Sequence, residues 1–111
     1  MSKRTQYGLE FYNRSINSRK INICQLKTQD GGNNSLLSFM THLSINDCQN
    51  FIADLTGCLA GHTNVDEGFL SDSVEDINIS YNYPNVIIED ILIIPMQDLK
   101  DLLQEWLEFI S

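Results

Sequence analysis

From Pro95 onward the chain repeats apolar side chains at helical spacing: Met96, Leu99, Leu102, Leu103, Trp106, Leu107 and Ile110. These fall on one wide stripe, while Asp98, Asp101, Glu105 and Glu108 recur at the same spacing on the other side. A helix of this kind gains most of its stability by covering an apolar surface, so the segment requires a sheet to pack on. Pro95 suits the first helical turn because its φ is already fixed near the helical value. Just before it, residues 86–94 form a nearly continuous apolar run, interrupted by Glu89-Asp90. Such a run reads as a strand buried on both faces over part of its length.

The remaining segments supply further strands and one more helix. Residues 7–12 alternate loosely and read as a first strand. Residues 19–27 alternate more cleanly, with Ile21, Ile23 and Gln25 on one face and Asn22, Cys24 and Leu26 on the other. A turn at 13–18 joins the two. The run Asp30-Gly31-Gly32-Asn33-Asn34 is a strong turn signal, and Leu36-Leu37-Ser38-Phe39-Met40 after it reads as a third strand. Ser44 followed by Asp47 is a capping-box pattern. It opens a helix whose buried face carries Ile45, Cys48, Phe51, Ile52, Leu55, Cys58 and Leu59. Gly61 is placed to end that helix in a left-handed conformation, and Gly57 suggests a close approach to a sheet. After a polar, acidic loop, residues 77–81 alternate as another strand, and Tyr83-Pro84-Asn85 marks a break. The expected order is β-β-β-α-β-β-α. This is an α+β domain with a mostly antiparallel sheet packed by two amphipathic helices. At 111 residues, the span 1–111 reads as one domain.

Charge is unevenly distributed. Residues 1–27 hold six bases (Lys3, Arg4, Arg14, Arg19, Lys20 and Lys27) against Glu10, or +5; residues 28–111 hold Lys100 against fourteen acids, or −13. The resulting net charge of −8 repels phosphate backbones and attracts a basic protein partner. Arg14, Arg19 and Lys20 make too weak a patch against this field to indicate nucleic-acid binding, and read as edge charges or counter-charges. The chain begins without an apolar signal region and has no apolar run long enough for a bilayer. Three cysteines, Cys24, Cys48 and Cys58, form no disulfide framework, and a cytoplasmic setting with free thiols is expected.

No motif for catalysis stands out. The chain has no nucleophile elbow, zinc-protease helix, P-loop or dinucleotide fingerprint. Cys48 and Cys58 share a helix face but lie about 15 Å apart along the axis, too far for one ion. They read as core residues, and His42 and His62 as exposed residues flanking the helix. Glu89 and Asp90 are adjacent on a strand, so they point to opposite faces and cannot share a cleft. The acidic stripe on the last helix has the pattern of a solvated face. No enzyme activity, cofactor or metal is therefore expected.

The segment from Val86-Ile87-Ile88 through Ile93-Ile94-Pro95-Met96 to Leu102-Leu103 and Trp106 resembles the closing strand and helix of bacterial immunity proteins of polymorphic-toxin systems, including contact-dependent growth inhibition. In that family an apolar strand runs into a proline and then an acidic helix with a spaced Leu-Leu and a late Trp. The resemblance covers about a quarter of the chain. It implies a protein that binds a cognate toxin domain in the cytoplasm and blocks its active site. A nuclease toxin binds phosphate and tends to be basic, so an acidic inhibitor matches its charge.

The expected partner-binding residues are Asp66, Glu67, Asp72, Glu75 and Asp76, with Tyr81 and Tyr83 nearby. A loop presents several carboxylates freely, and Tyr adds contact area with a polar tip. The rival surface is the stripe Asp98, Asp101, Glu105 and Glu108. An alternative role for the same acidic chain is an adaptor or structural subunit of a cytosolic assembly, docking by that surface or by a sheet edge.

Overall fold

In a computed structural model, which describes residues 3–27, 32–63 and 78–111, short hairpins and helices share one hydrophobic core. A four-residue helix α1 (Lys3–Gln6) leads into strands β1 (Leu9–Ile16) and β2 (Arg19–Leu26). A 3-10 helix (Gly32–His42) and helix α2 (Ile45–Gly61) follow. Strands β3 (Ile79–Asn82), β4 (Asn85–Ile88) and β5 (Leu92–Pro95) then lead into the closing helix α3 (Met96–Ile110). The fold is mixed α/β with antiparallel pairing throughout: β1 with β2 in one sheet, and β3-β4-β5 in another.

Several expectations change. The expected order β-β-β-α-β-β-α with one sheet and two helices gives way to the order above, with a further short helix α1, a 3-10 helix and two separate sheets. The segment Leu36-Leu37-Ser38-Phe39-Met40 is not a strand; it lies within the 3-10 helix. Leu37, Met40 and Leu43 recur every third residue, the period of that helix, and all three are buried. The apolar run 86–94 is not one strand but two, because Glu89 and Asp90 both take left-handed φ (55° and 57°) and turn the chain back. With that, the premise that Glu89 and Asp90 sit on a strand also falls. Gly61 is the last residue of α2 rather than its left-handed stop. His62 takes that conformation (φ 53°, ψ 41°), and Thr63 N–H reaches Cys58 O at 3.2 Å. Gly57, expected at a close contact, is exposed.

The capping box forms as expected. Ser44 Oγ accepts from Asp47 N–H while Asp47 Oδ2 accepts from Ser44 N–H, both at 3.1 Å, closing the capping box. The turn expected at 13–18 is shorter: residues 13–16 continue β1 in register with β2, and the turn is the pair Asn17-Ser18, both at positive φ as a type I′ hairpin requires. Gly8, at φ 72°, joins α1 to β1. The β3–β4 turn contains a cis Tyr83-Pro84 bond.

Helix α3 buries Met96, Leu99, Leu102, Leu103 and Trp106 against α2 and the three-stranded sheet. Trp106 packs edge-on to Phe11 of β1 (centroids 5.0 Å) and stacks on Phe109 (5.6 Å), which brings the first hairpin onto the same core. Phe51 of α2 meets Phe39 and Tyr81 at 6.3 and 6.2 Å, tying the 3-10 helix to β3. The edge of β2 is occupied by a side chain: Cys24 N–H donates to Thr41 Oγ1 at 2.8 Å, and the hydroxyl donates back to Cys24 O at 3.1 Å.

Candidate functional site

Of the expected contact residues, Asp66, Glu67, Asp72, Glu75 and Asp76 lie outside the described residues. The two tyrosines have different surroundings. Strand alternation turns Tyr81 inward with Ile79, and its hydroxyl donates to Asp54 Oδ2 of α2 at 2.9 Å. Tyr83, in the turn, is half-buried; its hydroxyl lies 2.7 Å from His62 Nδ1, with the two rings perpendicular.

The acidic stripe on α3 is divided. Asp98 forms an ion pair with Lys3 Nζ at 2.8 Å and accepts from the Tyr7 hydroxyl at 2.6 Å. Glu105 accepts the backbone N–H groups of Lys3 and Arg4 at 2.8 and 3.2 Å. A carboxylate on these first amides satisfies donors that a helix start leaves open. Asp101 accepts from Gln97, one turn earlier, at 3.0 Å, and Glu108 is exposed. Two of the four acids therefore clasp the N-terminal segment to the closing helix. Burial pushes the Asp98 carboxyl up, but the hydrogen bonds from Lys3 and Tyr7 and the charge of Lys3 outweigh it and leave it below the usual carboxylate value. The hydrogen bond to Asp98 raises Lys3 above its ordinary value. Tyr7 is also raised, first by burial and then by the same carboxylate.

A second acidic feature lies between β4 and β5. Glu89 and Asp90 form the β4–β5 turn, where Glu89 Oε1 accepts Asn78 N–H at 3.0 Å and Asp90 is exposed. Beside them Ile91 and Ile93 are 57% and 63% exposed, whereas Leu92 and Ile94 face the core. Continuous hydrophobicity had masked this alternation; the signal for it is the Glu-Asp pair, a turn inside an apolar run.

The basic residues also separate. Arg4 stacks over Phe11 with its guanidinium carbon 5.0 Å from the ring centre. Arg14, Arg19 and Lys20 lie on the outer half of the first hairpin, where every residue from 13 to 21 is exposed.

The cysteines are free thiols buried in the core. Burial pushes Cys24 up to about 12; it pushes Cys48 up to about 11, with the neighbouring Asp47 charge adding to it. At neutral pH both are protonated and poor nucleophiles. Among the described residues no group of three or more His, Cys, Asp or Glu side chains converges in a way that could hold a metal ion. Among them, too, no helix is long and apolar enough to cross a membrane. Trp106 Nε1 is a buried donor without a hydrogen-bond partner, enclosed between Phe11 and Phe109. Comparison with family models, with characterised proteins and with solved structures finds no match to this chain.

Proposed function

We propose that this protein is an immunity protein that binds a cognate toxin domain, a basic nuclease, in the cytoplasm and occludes its active site. The observation that carries this reading is the charge: fourteen acids against one base from residue 28 onward. A field of that sign speeds encounter with a cationic surface and disfavours nucleic acid as the direct partner. The strand–proline–helix likeness of residues 86–110 to immunity proteins adds to it. The reading asks for no catalytic residue in this chain, only for a surface.

The proposed contact remains the acidic segment with Asp66, Glu67, Asp72, Glu75 and Asp76, and Tyr83 beside it. Tyr81 is assigned a supporting role, because its ring is packed in the core and its hydroxyl is held by Asp54. The stripe on α3 is a weaker candidate, since Asp98 and Glu105 already hold the N-terminal segment. The adaptor reading is favoured by one feature, the exposed hairpin with its own apolar face.

Co-expression with the toxin domain encoded by the neighbouring open reading frame tests the proposal. Restored growth and co-purification of the two proteins are expected. Growth arrest that persists with both proteins present would reject it.

A further inference from the structure

The first hairpin breaks the usual rule of alternation beyond its root. Near the core, Leu9, Phe11, Cys24 and Leu26 point inward, as the register Leu9↔Leu26 and Phe11↔Cys24 requires. Continued outward, that same face becomes polar: Asn13 and Asn22 bond to each other at 3.3 Å, and Ser15 pairs with Lys20. The opposite face carries the cross-strand pairs Tyr12↔Ile23, Arg14↔Ile21 and Ile16↔Arg19. The apolar side chains of this arm thus lie on the face turned away from the protein's own core. Ile16 and Ile21 are 43% and 39% exposed there, flanked by two arginines.

The second sheet has the complementary surface. Its inner face holds Val86, Ile88, Leu92 and Ile94, and the outer face of β5 carries Ile93, with Ile91 at the turn. Glu89 and Asp90 border this patch. The exposed large hydrophobic side chains among the described residues are Ile16, Ile21, Ile45, Ile91 and Ile93, so four of the five belong to these two surfaces.

We infer that the occupant of the arm is a second copy of this chain: Ile16 and Ile21 pack on Ile91 and Ile93 of the other copy, and Arg14 and Arg19 meet its Glu89 and Asp90. Every copy carries both halves, so a two-fold axis makes the contact twice and doubles the buried area. An apolar centre bordered by paired charges is the usual anatomy of a specific interface. The complementarity also sets the register, because like-charge alignment of arm on arm is repulsive. The inference does not depend on the toxin reading.

Sedimentation of the purified protein, with charge exchange, tests it. The wild type is expected to sediment as a dimer. Arg14→Glu with Arg19→Glu, and separately Glu89→Lys with Asp90→Lys, should each weaken association by roughly 10- to 100-fold. Circular dichroism and thermal melting confirm that each variant is folded; if the turn variant is not, Ile93→Asp replaces it in the weakening arm. Mixed one to one, the two charge-reversed proteins should recover the dimer, since each arm then faces a turn of opposite sign. Wild type that stays monomeric, a dimer indifferent to the arm reversal, or two folded charge-reversed proteins that fail to associate would each overturn the inference.

Discussion

Asp98 is the residue whose environment departs most from what its position in an acidic stripe suggests. Lys3 and Tyr7 both reach it, and no helical periodicity reports a partner more than 90 positions away. Replacing it with Asn removes the ion pair and weakens the tyrosine hydrogen bond, at a cost of about 1–2 kcal/mol in urea unfolding at pH 7. Its folded pKa is lowered, so the stabilisation is present above the ordinary carboxylate value and is lost as pH falls through the folded one. Lys3 is raised, so its share is present below the ordinary lysine value and is lost as pH rises through its folded one. The gap between wild type and Asp98→Asn should therefore be wide at pH 7 and should narrow at acid pH, below the ordinary carboxylate value. A gap that is the same at both pH values would argue against the clasp. Trp106 offers a second case. Trp106→Ala should cost about 3–5 kcal/mol from the cavity. Trp106→Phe should cost markedly less, because it also removes the buried N–H that has no hydrogen-bond partner.

At the level of elements, the parts that could be read in the sequence are those with a local signal. Ser44 and Asp47 announce the start of α2, and the i, i+3, i+4 stripe announces α3. Ser44→Ala should destabilise the protein by about 1 kcal/mol with little change in m-value, as measured by urea unfolding. Other elements have ambiguous local signals. A five-residue apolar run such as 36–40 fits a strand as well as a tight helix. What decides it is the three-residue repeat through Leu43, together with Thr41 bonding to both the N–H and the C=O of Cys24. The run 86–94 hid a hairpin because its outward positions, Ile91 and Ile93, are as apolar as its inward ones. Exposed isoleucines on an outer strand face carry no periodic signature that distinguishes them from core; the turn acids are the clue.

For the whole molecule, charge was legible at once and its placement was not. Composition yields −8, but only the fold separates acids that hold the N-terminal segment from acids that face solvent. It likewise separates Lys3 and Arg4, which sit on α3 and on Phe11, from Arg14, Arg19 and Lys20 on the open arm. If the acidic segment contacts a basic toxin, reversing Asp72, Glu75 and Asp76 together should weaken binding by at least about tenfold at low salt, with a smaller effect at moderate salt. Unchanged affinity at both salt concentrations would place the contact elsewhere. If an acidic surface of this chain captures a basic toxin domain, the association rate of the purified pair, followed by stopped flow across ionic strength, reads it out. Tight binding is expected, with a rate that falls steeply as salt is added. No binding, or a rate indifferent to salt, would contradict it.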